Sequence, residues 1–388
     1  MGYSITEDLI RRKLNLIELN KIPAEALVGF VKQTQEQAIL MKSDSKQYSK
    51  AAENIIKLME EKKLVHIIDV STQILDQFSK EFTDAVDGSN QFFPKPDGTF
   101  IYFFSTAKIR YPDGYGTNVE VTVAPFTETI GKIDPKFASS EAGNFMMRME
   151  TETMKHAIET RSEGGILFLD GPIIDPPENI ISDEYLQQRT LTIKEAFRKK
   201  ITVIGIVKRI MGDMFTTNYK SYFSSNQMTD FENMNSDKNL AVHVLTKSLK
   251  SDKDSIAYTE PFKISNINYP SGKEGKNFKK TAQSYHDEGV DVVTFIMKYG
   301  YPSPPIRVDV AISSESNDFS EITQNTIKYV AAWAAPGRHI PIPVILAHEK
   351  CNIGKGAAQI LFTEFIAGSK SNDNEEKIIQ LQMMGDVH

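Results

Sequence analysis

Residues 166–173 read Ile-Leu-Phe-Leu-Asp-Gly-Pro-Ile, and residues 201–207 read Ile-Thr-Val-Ile-Gly-Ile-Val. Each is a short apolar run bounded by Gly, Pro or basic residues, which is how a buried strand reads. Between them, residues 183–199 have the length and pattern of a helix. Strand, helix and strand at this spacing predict a crossover unit with a parallel strand pair, and hence an α/β fold. Asp170 closes the first run, immediately before Gly171-Pro172. A strand fixes the backbone of such a residue while its carboxylate stays wet, so Asp170 is a candidate site residue.

Upstream, Asp84–Ser89 reads as a short strand that ends in a turn at Asp87-Gly88. Residues 99–105 (TFIYFFS) read as a buried strand, and residues 118–123 (NVEVTV) alternate with period two. Their short separations favour antiparallel hairpins. Residues 138–160 read as a helix, stopped by Gly164-Gly165. Its methionines at 146, 147, 149 and 154 read as packing groups.

Downstream, strands are expected at 239–246, 255–263, 291–299 and 306–311, and helices around 321–334 and 353–366. Residues 270–289 carry Lys273, Lys276, Lys279 and Lys280 and read as an exposed, mobile loop with a modest phosphate-contact signal. Residues 212–237 read as a loop with a short helix. The first 80 residues read as amphipathic helices. The expected division is an N-terminal helical region over 1–80, a main domain over 81–368 and a polar tail over 369–388.

The 388 residues carry 45 Lys and Arg against 51 Asp and Glu, a net charge of −6. That argues against a protein that coats nucleic acid by bulk charge, and leaves room for a locally basic groove. One cysteine, Cys351, excludes an internal disulfide and a Cys-based metal site and fits a reducing compartment. No stretch has a signal-peptide pattern or 18 consecutive apolar residues, so the expectation is a cytoplasmic protein without a membrane span.

A P-loop, an H-E-x-x-H helix, a G-x-S-x-G elbow and a C-x-x-C pair are all absent. What remains is a sparse set of acids at rigid places. Asp87 and Asp170 end expected strands, Glu150 and Glu152 lie on the helix between them, and His348 follows the apolar run 343–347. Carboxylates with one imidazole suit Mg²⁺ or Mn²⁺, with Mn²⁺ accepting the nitrogen more readily. One or two such ions serve phosphodiester hydrolysis. Each Asp-Gly also reads simply as a turn. Lys208-Arg209, after the second strand, are candidate phosphate contacts.

The ordered set AVDGS (85–89), RMETE (148–152), ILFLDGPI (166–173), TVIGIVKR (202–209), IRVDVA (306–311) and PIPVILAH (341–348) resembles the NurA family of DNA-repair nucleases. The resemblance implies an α/β fold, with an RNase H-like core of mixed sheet and flanking helices and an N-terminal helical elaboration. It implies a metal-dependent deoxyribonuclease that prefers manganese and acts on single-stranded DNA as an endonuclease and a 5′–3′ exonuclease. It also implies a homodimer docked on a hexameric HerA-type ATPase in end resection. By resemblance, Asp87 and Asp170 are the catalytic aspartates, Glu152 is the intervening acid with Glu150 as runner-up, and His348 is the C-terminal histidine; these four are the implied metal ligands. Where the family commonly has a tyrosine, Ile340 stands here, which leaves substrate positioning in doubt. A noncatalytic adaptor between a helicase and DNA, or a defence-system nuclease, is the alternative.

Overall fold

Ten described strands form one mixed sheet in a computed structural model of the chain. The structure describes residues 24–368, apart from 70–71, 96–98, 117, 132–134, 175–181, 224–235, 250–254, 268–272, 301–302 and 335–338. The polar tail at 369–388 and the first expected helical stretch, within residues 1–23, therefore lie outside the described residues.

A long helix α1 (Ala24–Glu61) leads into β1 (Val65–Asp69) and a short helix α2 (Thr72–Ser79). Then come β2 (Thr83–Pro94), β3 (Phe100–Tyr111), β4 (Glu120–Ile130) and α3 (Pro135–Glu159). The crossover unit follows as β5 (Ile166–Asp170), α4 (Asp183–Arg198) and β6 (Thr202–Val207). After α5 (Met214–Lys220) and the helical stretch α6 (237–248) come β7 (Ser255–Thr259) and β8 (Phe262–Lys263). The rest is α7 (Lys273–Asp287), β9 (Val290–Tyr299), β10 (Ile306–Ser313), α8 (Ser320–Trp333), α9 (Ile342–Cys351) and α10 (Lys355–Gly368).

The strands lie in the order β1-β7-β9-β10-β6-β5-β2-β3-β4, with β8 paired to β9. β2, β3 and β4 form an antiparallel meander, while β5 pairs in parallel with both β2 and β6. A meander continued by two parallel strands is the arrangement of an RNase H-like core, and β10, β9, β7 and β1 extend it by antiparallel pairing.

Alternation along the central strands divides the core. Ala85, Phe168, Ile204 and Ile206 face α8 and α9, meeting Ile327, Val330, Trp333, Val344 and Ala347. Val86, Leu167, Leu169 and Val203 face the other way, onto Met154 and Ile158 of α3, Ile193 of α4 and Tyr285 of α7. Both faces are covered, so β5 and β6 read as continuous apolar runs.

Several expectations are corrected. Val65–Asp69, read as part of the N-terminal helices, is a strand that extends the sheet beside β7. Five residues between two helices are too few for period two to stand out. Residues 239–246, read as a strand, are helical, because Leu240, Ala241, Val244 and Leu245 bury one helical face against Ile55 and Met59 of α1. The lysine-rich loop is instead α7, anchored by Phe278, Ala282 and Tyr285 at helical spacing. Asp87 does not end its strand, since β2 pairs with β3 as far as Pro94. No described helix is long and apolar enough to cross a membrane.

Candidate metal centre

Two parallel strands set the position of the aspartates. Val86 of β2 is in register with Leu169 of β5, so the next step along both strands brings Asp87 beside Asp170. Both side chains then lie on the face covered by α9, where Ala85 and Phe168 already point. Pro341 and Pro343 start α9, where their missing N–H groups cost nothing. The helix lowers His348 onto the pair, with Nδ1 at 2.8 Å from Asp87 Oδ2 and 3.3 Å from Asp170 Oδ2. One ligand atom from each of the three residues falls within 4.8 Å of the others. Ser89 Oγ accepts from the Ile353 N–H at 3.2 Å, tying the chain after α9 to the strand that carries Asp87.

Electrostatics mark the site. Burial, then the neighbouring Asp170 charge, raise the Asp87 carboxyl to about 7, against the opposing His348 contact and the Gly88 N–H. Two carboxylates this close resist being ionised together unless a cation shares them. With its nitrogen partner, this donor set fits Mn²⁺ or Mg²⁺. Burial and the Asp87 carboxylate push the Cys351 thiol up, so in the metal-free chain it stays protonated.

The two glutamates separate. Glu152 is exposed, and its Oε1 accepts from Gln188 of α4. Arg148, one turn earlier on the same flank, donates to Ser182 Oγ at 3.2 Å. Glu150 instead lies against β2: a Cβ on Gly88 would be 2.7 Å from its Oε1. The missing side chain of Gly88 is what admits that carboxylate beside the backbone next to Asp87. Glu150, Asp87 and Asp170 all bear on the Cys351 thiol. The expectation that Glu152 points at the aspartates is therefore corrected: its carboxylate faces Gln188, while Glu150 lies against Gly88 on the α3 side of β2, and neither glutamate is in the three-residue set. Two residues along a helix turn a side chain by about 200°. The phase was readable, since Glu152, Lys155 and Glu159 share one exposed stripe.

Lys208 reaches the centre, with its Nζ on Asp170 Oδ2, while Arg209 is exposed beside it. Lys279 and Lys280 are exposed on α7, which packs on the opposite face of the sheet, so the structure does not bring them to this centre. Ile340 packs partly buried against the α8–α9 core.

An RNase H-like sheet carrying two adjacent aspartates under a helix-borne histidine defines the class of fold and site. The chain belongs to the NurA family, whose model, described as the NurA domain, matches residues 83–353. The NurA nuclease from Sulfolobus solfataricus is similar in fold, with a TM-score of 0.51 at 10% identity over 95% of this chain and 99% of that one. A NurA structure bound to dAMP and manganese gives 0.51 at 12% identity over 89% and 99% of the two chains. A further NurA structure gives 0.50 at 12% identity over 90% and 99%. No curated protein matches the sequence.

Proposed function

We propose that this chain is a divalent-cation-dependent deoxyribonuclease whose centre is Asp87, Asp170, Glu150 and His348. The observation that carries the reading is the convergence of Asp87, Asp170 and His348 from β2, β5 and α9. Manganese is the favoured ion, on the donor set and on the relative that binds it with dAMP. A bound ion there supplies charge neutralisation at a phosphodiester. The protein's own part is positional. Asp87 and Asp170 are fixed by paired strands, and His348 is held by α9 and the Ser89 tie. Glu150, which lies against Gly88 beside Asp87, is the candidate for a fourth acid. Lys208 and Arg209 supply positive charge for the DNA backbone next to the reacting phosphate.

By family, the substrate is mainly single-stranded DNA, cut internally and from 5′ ends during end resection, by a homodimer seated on a HerA-type hexameric ATPase. Two described features support an assembly. Phe30 and Ile39 of α1 are 58% and 70% exposed, and Val121 and Val123 of β4 are also exposed. Delivery through a ring would orient the strand and concentrate it at the centre, which suits a chain of net charge −6.

The test is cleavage of a labelled single strand with Mn²⁺, with EDTA and with the Asp170→Asn variant. Cleavage by the native chain alone, abolished by EDTA and by the substitution, is expected. Equal cleavage by the variant overturns the reading, and no cleavage by any sample favours a noncatalytic adaptor.

A further inference from the structure

Lys208 is the first residue after β6, and the register of β5 with β6 places Asp170 opposite Ile206. Two residues further on, Lys208 returns to the same face and sets its ammonium on Asp170 Oδ2. That oxygen also faces His348 Nδ1 at 3.3 Å. An ammonium held there and a divalent ion shared by Asp87, Asp170 and His348 would compete for the Asp170 carboxylate.

The buried Lys298 and Lys208 itself both act on the His339 imidazole, so a second positive charge lies in the same neighbourhood. Burial, then Lys298 and Lys208, hold the His339 imidazole below its ordinary range. Lys208 is part-buried beside the exposed Arg209, and a swing toward solvent would carry its ammonium off Asp170. A lysine has the four-carbon stem for that swing and carries its charge as a point that any phosphate oxygen can accept.

We propose that Lys208 is a cation-gated phosphate contact. It pairs with Asp170 until a divalent cation takes that oxygen, and then turns to a DNA phosphate. This rests on the metal-centre reading and adds a coupling to it. Cation binding frees the residue that grips the substrate, so each ligand favours the other. The contact also shields Asp170 from its neighbour Asp87 until the cation arrives.

The experiment measures Mn²⁺ binding by calorimetry without DNA, for the native chain and for Lys208→Met, Lys208→Arg, Arg209→Met and Asp87→Asn, each checked for native unfolding behaviour. Removing a competing ion pair should tighten Mn²⁺ binding of Lys208→Met by about threefold to tenfold. Lys208→Arg keeps the charge and should stay near native. Arg209→Met, which removes an equal charge next door, should change affinity less than about twofold if direct competition rather than general field is at work. In parallel, binding of a phosphorothioate single strand is followed against salt. The salt slope of Lys208→Met should fall by about one with Mn²⁺ present and be unchanged in EDTA.

Unchanged or weaker Mn²⁺ binding by Lys208→Met overturns the proposal. So does an equal gain in Arg209→Met, or a slope change that persists in EDTA. The metal-centre reading fails separately, taking the proposal with it, when the native chain binds no Mn²⁺ or Asp87→Asn binds it undiminished. Weakened binding in Asp87→Asn with no gain in Lys208→Met overturns the Lys208 proposal alone.

Discussion

His348 Nδ1 lies 2.8 Å from Asp87 Oδ2 across a sequence separation of 261 residues. The contact joins the central strand of the RNase H-like core to a helix near the end of the described chain. It is assembled by the register of β2 with β5 and by α9 packing over both. Substituting His348 by Ala should weaken Mn²⁺ binding and lower cleavage while leaving the unfolding free energy within about 0.5 kcal/mol, because its side chain is 56% exposed. Calorimetry with a denaturant titration checks both halves.

Asp87 gives a pH signature. Its folded value of about 7 lies above the ordinary 3.8, so between those values the folded chain holds a proton that the unfolded chain releases. That contribution to stability is complete below the unfolded value and is lost as pH rises through about 7. Above it, two ionised aspartates face each other and a cation relieves them. The rise in melting temperature on adding Mn²⁺ should therefore be larger at pH 8 than at pH 6. Asp87→Asn should flatten the difference, and equal shifts at both pH values would contradict the assignment.

The glutamates are separable by rate. Glu150→Gln should reduce Mn²⁺-dependent cleavage on the order of tenfold to a hundredfold, whereas Glu152→Gln should stay within about threefold. Gly88→Ala should behave like Glu150→Gln, since the added Cβ would meet Glu150 Oε1 at 2.7 Å and push the carboxylate away. Single-turnover kinetics on one labelled oligonucleotide compares all three.

Stability rests partly on an ion cluster three residues before Asp87. Asp84 is fully buried and accepts from Arg110 Nε at 2.8 Å and Arg161 Nη1 at 3.1 Å. Arg161 also donates to the carbonyls of Ile166 and Phe82, binding α3 to the start of β5. Asp84→Ala would leave two buried guanidinium groups uncompensated, at a cost of about 3–5 kcal/mol. Denaturant unfolding measures it, and a loss below 1 kcal/mol would mean the arginines find other partners.

The parallel pair of β5 and β6 was legible because full burial makes each strand a continuous apolar run ending in Asp170 or Lys208. The aspartates and His348 were legible as an ordered set, although their meeting depends on register that spacing does not fix. Residues 239–246 misled because Val242 and Val244 alternate locally, while packing against α1 selects the helical face. Glu150, the runner-up, was ranked below Glu152 because its place against Gly88 is a contact between α3 and β2 that neither segment shows alone. Lys208 was read by position as a phosphate contact, and its pairing with Asp170 became visible only with both strand ends in place.

The most direct measurement is anomalous diffraction at the manganese edge from crystals of the native chain grown with Mn²⁺. A peak bonded to oxygens of both Asp87 and Asp170, with His348 in its shell and Lys208 moved off Asp170, is the expected result. Crystals that hold Mn²⁺ elsewhere, with Lys208 still on Asp170 and no peak between the aspartates, would contradict the proposed centre.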